Sequence, residues 1–210
     1  MGRLALTRAT LLEGVRELAA RDARLARIVD GCGAPPLWAR PRGFATLVRI
    51  ILEQQVSLAS AAALFARVEH ALGGRVTTEA VCALGTPGLR ALGVTRQKAS
   101  YVCALAEWVT SGALPLGTLE RLPDDDVAEA LIRVPGVGPW TAGVYLLMAL
   151  RRRDVWPTGD LALHKALARL RGLPRMPASD EAAAYARRWQ PWRAVAARIL
   201  WHGYLSERAA

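Results

Sequence analysis

The sequence predicts an all-α protein of roughly ten short helices. Apolar residues recur at three- and four-residue spacing along most of the chain, glycine and proline punctuate the runs, and no segment alternates as a half-buried strand would. Thr10 followed by Glu13 is a capping-box pattern, so a first helix, or helix pair, is expected to open there and carry Leu11, Leu12, Val15, Leu18, Leu25 and Ile28. Gly31 to Pro41 reads as a linker. Phe44, Leu47, Val48, Ile51 and Leu52 mark an amphipathic helix that runs into Gln54, Gln55 and Val56.

Ser57 can cap the next helix, which carries Leu64, Phe65 and Val68 and stops near Gly73 and Gly74. Thr77 or Thr78 opens a short helix, and Thr95 opens a longer one with Ala99, Val102, Cys103 and Ala106 on its apolar face. Asp124 to Asp126 place negative charge at the start of a helix to Ile132, where it complements the helix dipole. A core helix follows from about Trp140 to Leu150. Val155 to Gly159 is too rich in proline and glycine to be helical. Helices resume from Asp160 to about Arg171, again from Ser179 through Ala182, Tyr185 and Trp189, and last from Pro191 or Trp192 past Trp201.

At 210 residues and 22.7 kDa the chain can form one cored unit or two subdomains sharing a cleft. We expect residues 43–151 to form a central helical subdomain, and 1–42 with 152–210 to form a second one flanking that cleft. The formal net charge of +10 favours a polyanionic partner, nucleic acid ahead of membrane, because fixed cations release condensed counterions from phosphates. Arginine richness from genome composition explains the same charge equally well, since Lys98 and Lys165 are the only lysines.

Three cysteines, Cys32, Cys82 and Cys103, make neither a paired disulfide framework nor a metal signature, which fits a reducing cytosolic setting. Arg8, Glu13, Arg16 and Glu17 interrupt the start, so no secretory signal is expected. Val134 to Leu150 is uncharged, but its helical part spans only about half of a ~30 Å bilayer core and reads as buried.

The most informative segment is Leu131-Ile132-Arg133-Val134-Pro135-Gly136-Val137-Gly138-Pro139-Trp140-Thr141-Ala142, which writes a helix, a tight turn and a helix. Pro135 stops the first helix, the glycines permit the hairpin, and Pro139 suits the first turn of the second. A glycine turn at a helix N-terminus can hold a phosphate on backbone amides, and neighbouring carbonyls can hold a monovalent cation bridging to it. Taken alone, such a turn is more often a plain helix connection.

Together with Ile51-Leu52-Glu53-Gln54-Gln55-Val56-Ser57, Gly159-Asp160 and Arg188-Trp189-Gln190-Pro191-Trp192-Arg193, the hairpin resembles the helix-hairpin-helix DNA glycosylase superfamily. Within it, the sequence is similar to the 3-methyladenine DNA glycosylase II family, over most of the chain from Gly43 onward. Larger members carry an N-terminal β-rich subdomain; this chain begins helical, which implies a short form.

The resemblance implies a monofunctional glycosylase of base excision repair. It would flip an alkylated purine, 3-methyladenine or similar, from double-stranded DNA and hydrolyse its N-glycosidic bond, as a monomer without a required cofactor. The catalytic aspartate falls on Asp160, which also reads as a helix N-cap, a position that favours a charged carboxylate. Such a carboxylate stabilises positive charge developing on the sugar and positions water. A cationic alkylated purine already leaves well, so one carboxylate suffices.

Trp140 and Trp192 are implied as base-pocket walls, with Tyr145 a further candidate because an aromatic is usual one position earlier, where this chain has Val144. Gln55 takes the wedge position, although turn packing explains it equally well. Gly136, Val137, Gly138, Thr141 and Arg193 are implied DNA contacts, and the carbonyls of Ile132, Val134 and Gly136 a site for Na+ or K+. Trp140 stands where relatives that also cut the backbone carry a lysine, so no lyase step is expected. The four-cysteine cluster of some relatives is absent, so no iron-sulfur centre is expected. His70, His164 and His202 lack metal spacing, and His164 reads as a packing or phosphate-contact residue. The rival readings are a superfamily enzyme for oxidised, deaminated or mismatched bases, and a non-catalytic phosphate-gripping module.

Overall fold

The computed structural model describes residues 5–209, and among them the chain is all-helical, with no strand. It divides into two compact units, Arg40–Tyr145 and the described residues of Met1–Ala39 with Leu146–Ala210. Among the described residues no helix is long and apolar enough to cross a membrane.

The Arg40–Tyr145 unit contains α3 (Phe44–Glu53), α4 (Leu58–Ala71), α5 (Thr78–Ala91), α6 (Arg96–Thr110), α7 (Asp124–Ile132) and the opening turns of α8 (Pro139–Met148). Helix α3 packs on α4 and α6, and α5 packs on α6. Leu47, Val48, Ile50, Ile51 and Leu52 make almost all of α3 core, each contributing about 1.5–3 kcal/mol through burial. Each helix start has a local cause: Ser57, Thr77 and Thr95 accept the amides of Ser60, Ala80 and Lys98. Helix α5 is broken at Gly85, whose left-handed backbone leaves the helical region.

The second unit contains α1 (Arg8–Arg21), α2 (Ala23–Cys32), α9 (Leu161–Arg171), α10 (Ser179–Ala186) and α11 (Arg193–Ala209). Helix α1 opens earlier than the Thr10–Glu13 pattern predicts. Thr7 is its cap, and Thr7 and Thr10 exchange hydrogen bonds between each amide and the other's hydroxyl, at 2.9 and 3.2 Å. The box is real but sits one turn upstream, because threonine at the third helical position accepts the cap amide as glutamate would.

Helix α11 packs on α1, α2 and α9, and its residues from Ala194 to Leu200 are all buried. Arg198 lies on this stretch, wholly buried. Its Nε donates to Leu37 O at 2.9 Å, Nη1 to Ala194 O at 2.9 Å and Nη2 to Leu147 O at 2.8 Å. Burial pulls its pKa down to about 9, which leaves the group charged at neutral pH and satisfied by carbonyl oxygens. A buried charge held this way is costly to truncate, since its acceptors stay behind unpaired. Arg198→Met is expected to cost ~3 kcal/mol, lowering Tm by about 6–12 °C. A thermal melt within ~2 °C of wild type would show that those carbonyls need no donor.

Candidate active site

In the Arg40–Tyr145 unit, α7 ends at Ile132 and the chain turns through Val134–Gly138 before α8 begins at Pro139. The turn is closed by the Val137 amide donating to Val134 O at 3.0 Å. The two glycines serve different ends. Gly136 has φ +84°, and a Cβ there would fall 2.1 Å from Tyr101 Cγ, so both backbone conformation and the tyrosine ring of α6 demand glycine. Gly138 is not in the left-handed region, and a Cβ there would meet nothing within 4 Å. Neither strain nor packing within the protein accounts for glycine at 138; what it provides is backbone open to close approach from outside.

The second turn of this unit links α3 to α4. Gln54 ends α3, Gln55 takes φ +56°, and Ser57 caps α4. Gln55 is exposed at the crest and is followed by Val56 and Leu58, which are 46% and 61% exposed. Two exposed apolar side chains directly after a left-handed residue leave unpartnered surface on the turn itself. Gln54 faces the other way: its Nε2 donates to Gly136 O at 2.9 Å and to Thr141 Oγ1 at 3.0 Å. It thereby ties this turn to the glycine hairpin.

Several residues implied as contacts are turned inward. The Thr141 side chain is buried with its hydroxyl accepting from Gln54, so the side chain braces the hairpin and only the backbone is left for outside contact. Val137 is buried too, and only its backbone can contribute. Tyr145 is fully buried; its hydroxyl accepts from the Gly43 amide at 3.0 Å and fixes the start of α3, which removes it as a pocket wall. Trp140, in the first turn of α8, is half-buried and keeps aromatic surface at the position the resemblance singles out.

In the other unit, Gly159 at φ +85° turns the chain into Asp160, the N-cap of α9. Asp160 Oδ1 accepts from the Leu163 amide at 2.9 Å and from Trp201 Nε1 at 3.1 Å, which fixes the carboxylate's orientation with 9% of the residue exposed. The preceding loop carries Trp156, 5.8 Å from Trp189, which meets Tyr185 edge-on at 5.3 Å.

Trp192 and Arg193 also depart from the expectation. Trp192 is 4% exposed: Nε1 donates to Glu17 at 2.6 Å, Arg153 lies over the ring at 5.2 Å, and Gly14 packs close against the indole. Its ring holds α1 and has no open face for a base. The Arg193 guanidinium is paired with Asp154, through Nε to Oδ1 at 2.9 Å and Nη2 to the main-chain O at 2.7 Å, and its side chain stays partly exposed. Motif position located these residues but could not say which way they face. Sequence reasoning also missed Gln54 and Lys98, the latter described below. The one available signal was the scarcity of lysine in an arginine-rich chain.

His164, one helical turn past Asp160, is 6% exposed, and its Nε2 has no hydrogen-bond partner. Burial holds its pKa below the ordinary imidazole value, with the Asp160 charge opposing in part. Among the described residues no cluster of three or more His, Cys, Asp or Glu could hold a metal ion.

Residues 48–192 match the family described as the HhH-GPD superfamily of base excision DNA repair proteins. Over 169 residues the chain is 32% identical to DNA-3-methyladenine glycosylase 2 of Escherichia coli, an alignment covering 74% of this chain and 55% of that one. It spans 56% and 57% of the length of two Bacillus subtilis relatives. Among solved structures, a DNA-3-methyladenine glycosidase from Bacillus halodurans is similar at TM-score 0.76 and 30% identity, over 93% of this chain and 91% of that one. The 3-methyladenine DNA glycosylase of Schizosaccharomyces pombe in complex with abasic DNA is similar at TM-score 0.79 and 26% identity, over 90% and 95%.

Two outcomes follow from this geometry. Gly136→Ala is expected to destabilise by at least ~2 kcal/mol, from left-handed strain plus the clash with Tyr101. In a Tyr101→Ala background the steric part should vanish, leaving about 1 kcal/mol in urea unfolding; additive costs in that double-mutant cycle would refute the contact. For His164 the folded pKa lies below the unfolded one. The stability it supports is therefore complete above pH ~6.5 and lost as pH falls toward the folded value. The unfolding free energy of His164→Gln should fall less steeply between pH ~7 and ~5 than that of wild type, and parallel curves would rule this out.

Proposed function

The chain belongs to the HhH-GPD superfamily of base excision DNA repair proteins, and from that premise we propose that it is a monofunctional DNA glycosylase. On this reading it hydrolyses the N-glycosidic bond of an alkylated purine, 3-methyladenine or a close analogue, flipped from double-stranded DNA. The observation that carries the reading is Asp160: a carboxylate at a helix start, its Oδ1 pinned by a backbone amide and an indole N–H, leaving no freedom to swing away. A fixed anion of this kind stabilises oxocarbenium character in the departing sugar without reorganising as charge develops.

Flipping a base costs a few kcal/mol, least where the lesion weakens its pair. Stacking of an electron-poor, cationic purine on Trp140 returns ~1–3 kcal/mol. Gln55 is suited to fill the vacated stack and to hydrogen-bond the orphaned partner base, while Val56 and Leu58 supply apolar contact beside it. The open backbone at Gly138 and the start of α8 suit a phosphate. The Val134 carbonyl accepts from the Val137 amide and the Gly136 carbonyl from Gln54, and a carbonyl oxygen carries two lone pairs. With the Ile132 carbonyl at the end of α7 they suit a Na+ or K+ ion, which would add positive charge beside that phosphate. Trp140 offers no amine for Schiff-base chemistry, so the product is an abasic site with the strand intact. The setting is the cytosol, on DNA, as a monomer.

The test is a set of duplexes, each with one lesion among 3-methyladenine, 7-methylguanine, hypoxanthine and ethenoadenine, incubated with protein and then treated with alkali to reveal abasic sites. We expect excision of at least one alkylated purine and its slowing by at least ~10²-fold in Asp160→Asn. The asparagine carbonyl still accepts from Leu163 and Trp201, so fold and DNA affinity should persist. An Asp160→Asn protein that excises at the wild-type rate would remove the aspartate from the chemistry; wild type inert on every alkylated purine would remove the substrate class.

A further inference from the structure

Lys98, on α6, points its ammonium at the end of α3. Its Nζ donates to Leu52 O at 2.8 Å and to Gln54 O at 2.7 Å. These carbonyls belong to the last turn of α3 and to the residue that ends it, the negative end of the helix dipole. The neighbouring carboxylate, Glu53, is held by Arg40 at 2.8 and 2.9 Å and by Arg49 at 3.3 Å. Lys98 therefore meets backbone rather than a counter-ion, directly before the left-handed Gln55.

A compact cation with three donors and no acceptor can grip two carbonyls of one turn, which neither a planar guanidinium nor a neutral side chain does equally well. Three residues further along the same helix, Tyr101 carries the ring against which Gly136 rests. Helix α6 thus supports both turns, and the Gln54 side chain joins them from above through Gly136 O and Thr141 Oγ1. The partners belong to one compact unit, Arg40–Tyr145.

Resting on the glycosylase reading above, we propose that Lys98 is a positioning residue for base flipping: by clamping Leu52 O and Gln54 O it sets the Gln55 turn and, through Gln54, holds that turn in fixed register with the glycine hairpin. The wedge and the phosphate grip then act as one rigid piece. A base is pushed out by Gln55 only if the backbone it must distort is held at a constant offset, and an error of about 1 Å in such an offset costs on the order of 10²-fold in rate. Lys98 touches neither base nor phosphate in this scheme. Its charge is spent on the protein's own carbonyls.

Three proteins test it: Lys98→Met, Lys98→Arg, and Lys165→Met, which removes the only other lysine, exposed on α9, and so matches the loss of charge. Four readouts are taken: amide hydrogen exchange without DNA, salt-dependent affinity for undamaged duplex, fluorescence of a 2-aminopurine target base, and single-turnover excision from an alkylated duplex. In Lys98→Met, amides at 55–57 and at 136–138 should both exchange at least ~10-fold faster while those of α9 and α11 stay unchanged. Affinity for undamaged duplex and its salt slope should remain within about twofold of wild type, because no phosphate contact is lost. The flipping signal and excision rate should fall about 10- to 100-fold. Lys98→Arg should recover part of both, and Lys165→Met should match wild type.

Wild-type flipping by Lys98→Met would overturn the proposal, as would a shallower salt slope, which marks a direct phosphate contact. Faster exchange at 55–57 with none at 136–138 would overturn the coupling through Gln54. Should Lys98→Met not fold, Gln54→Leu, which removes only the link to the hairpin, must show the same loss of flipping at unchanged affinity, or the proposal fails. The exchange readout is independent of the reaction. A wild-type protein that excises nothing refutes the glycosylase reading; unchanged exchange in Lys98→Met refutes the positioning role alone.

Discussion

The Arg40–Tyr145 unit is organised by the missing side chain at Gly136. Because no Cβ stands there, the hairpin backbone can lie directly on the Tyr101 ring of α6, and Gly136 O is presented where Gln54 Nε2 can reach it. Other features of that region lie next to this contact. Thr141 is buried beside it, the two turns are joined through it, and Gly138 is left with open space where a Cβ would stand. A motif of small residues thus divides into one glycine required by the interior and one that the interior does not require.

Asp160 shows the same economy in the other unit. One carboxylate oxygen starts a helix and receives an indole N–H at once, so the group that would carry the chemistry also organises its own surroundings. That arrangement explains why an aspartate read as a helix cap and an aspartate read as an electrostatic catalyst need not be competing descriptions. The cap supplies the rigidity that electrostatic stabilisation requires.

The helices were legible because their signals are local. Ser57, Thr95 and Asp160 each cap the helix expected of them, since a cap and its amide lie within three residues of each other. The start of α1 was misplaced for the same reason: two overlapping box patterns, Thr7–Thr10 and Thr10–Glu13, look alike in sequence, and the structure uses the first. The site was legible in outline only. Motif position singled out the hairpin turn, the exposed crest at Gln55 and the cap at Asp160, but it carries no information on which side of a helix meets the core. Thr141, Tyr145 and Trp192 therefore read as ligand contacts, whereas their side chains are buried and hydrogen-bonded within the protein, and Arg193 is paired with Asp154. Lys98 escaped notice because its acceptors are backbone oxygens 46 and 44 residues away, and a carbonyl leaves no mark in the amino-acid alphabet.

The left-handed backbone at Gln55 bears on how the side chain at this exposed crest can be re-engineered or drift over generations. At φ +56° an unbranched side chain, or asparagine, is tolerated, whereas branching at Cβ crowds the preceding carbonyl. Exchanges among glutamine, leucine, methionine and histidine therefore leave the loop path intact. Isoleucine, valine or threonine would oblige the whole crest to be rebuilt. The vocabulary open to selection at that single site is narrowed by main-chain torsion before any nucleobase is encountered.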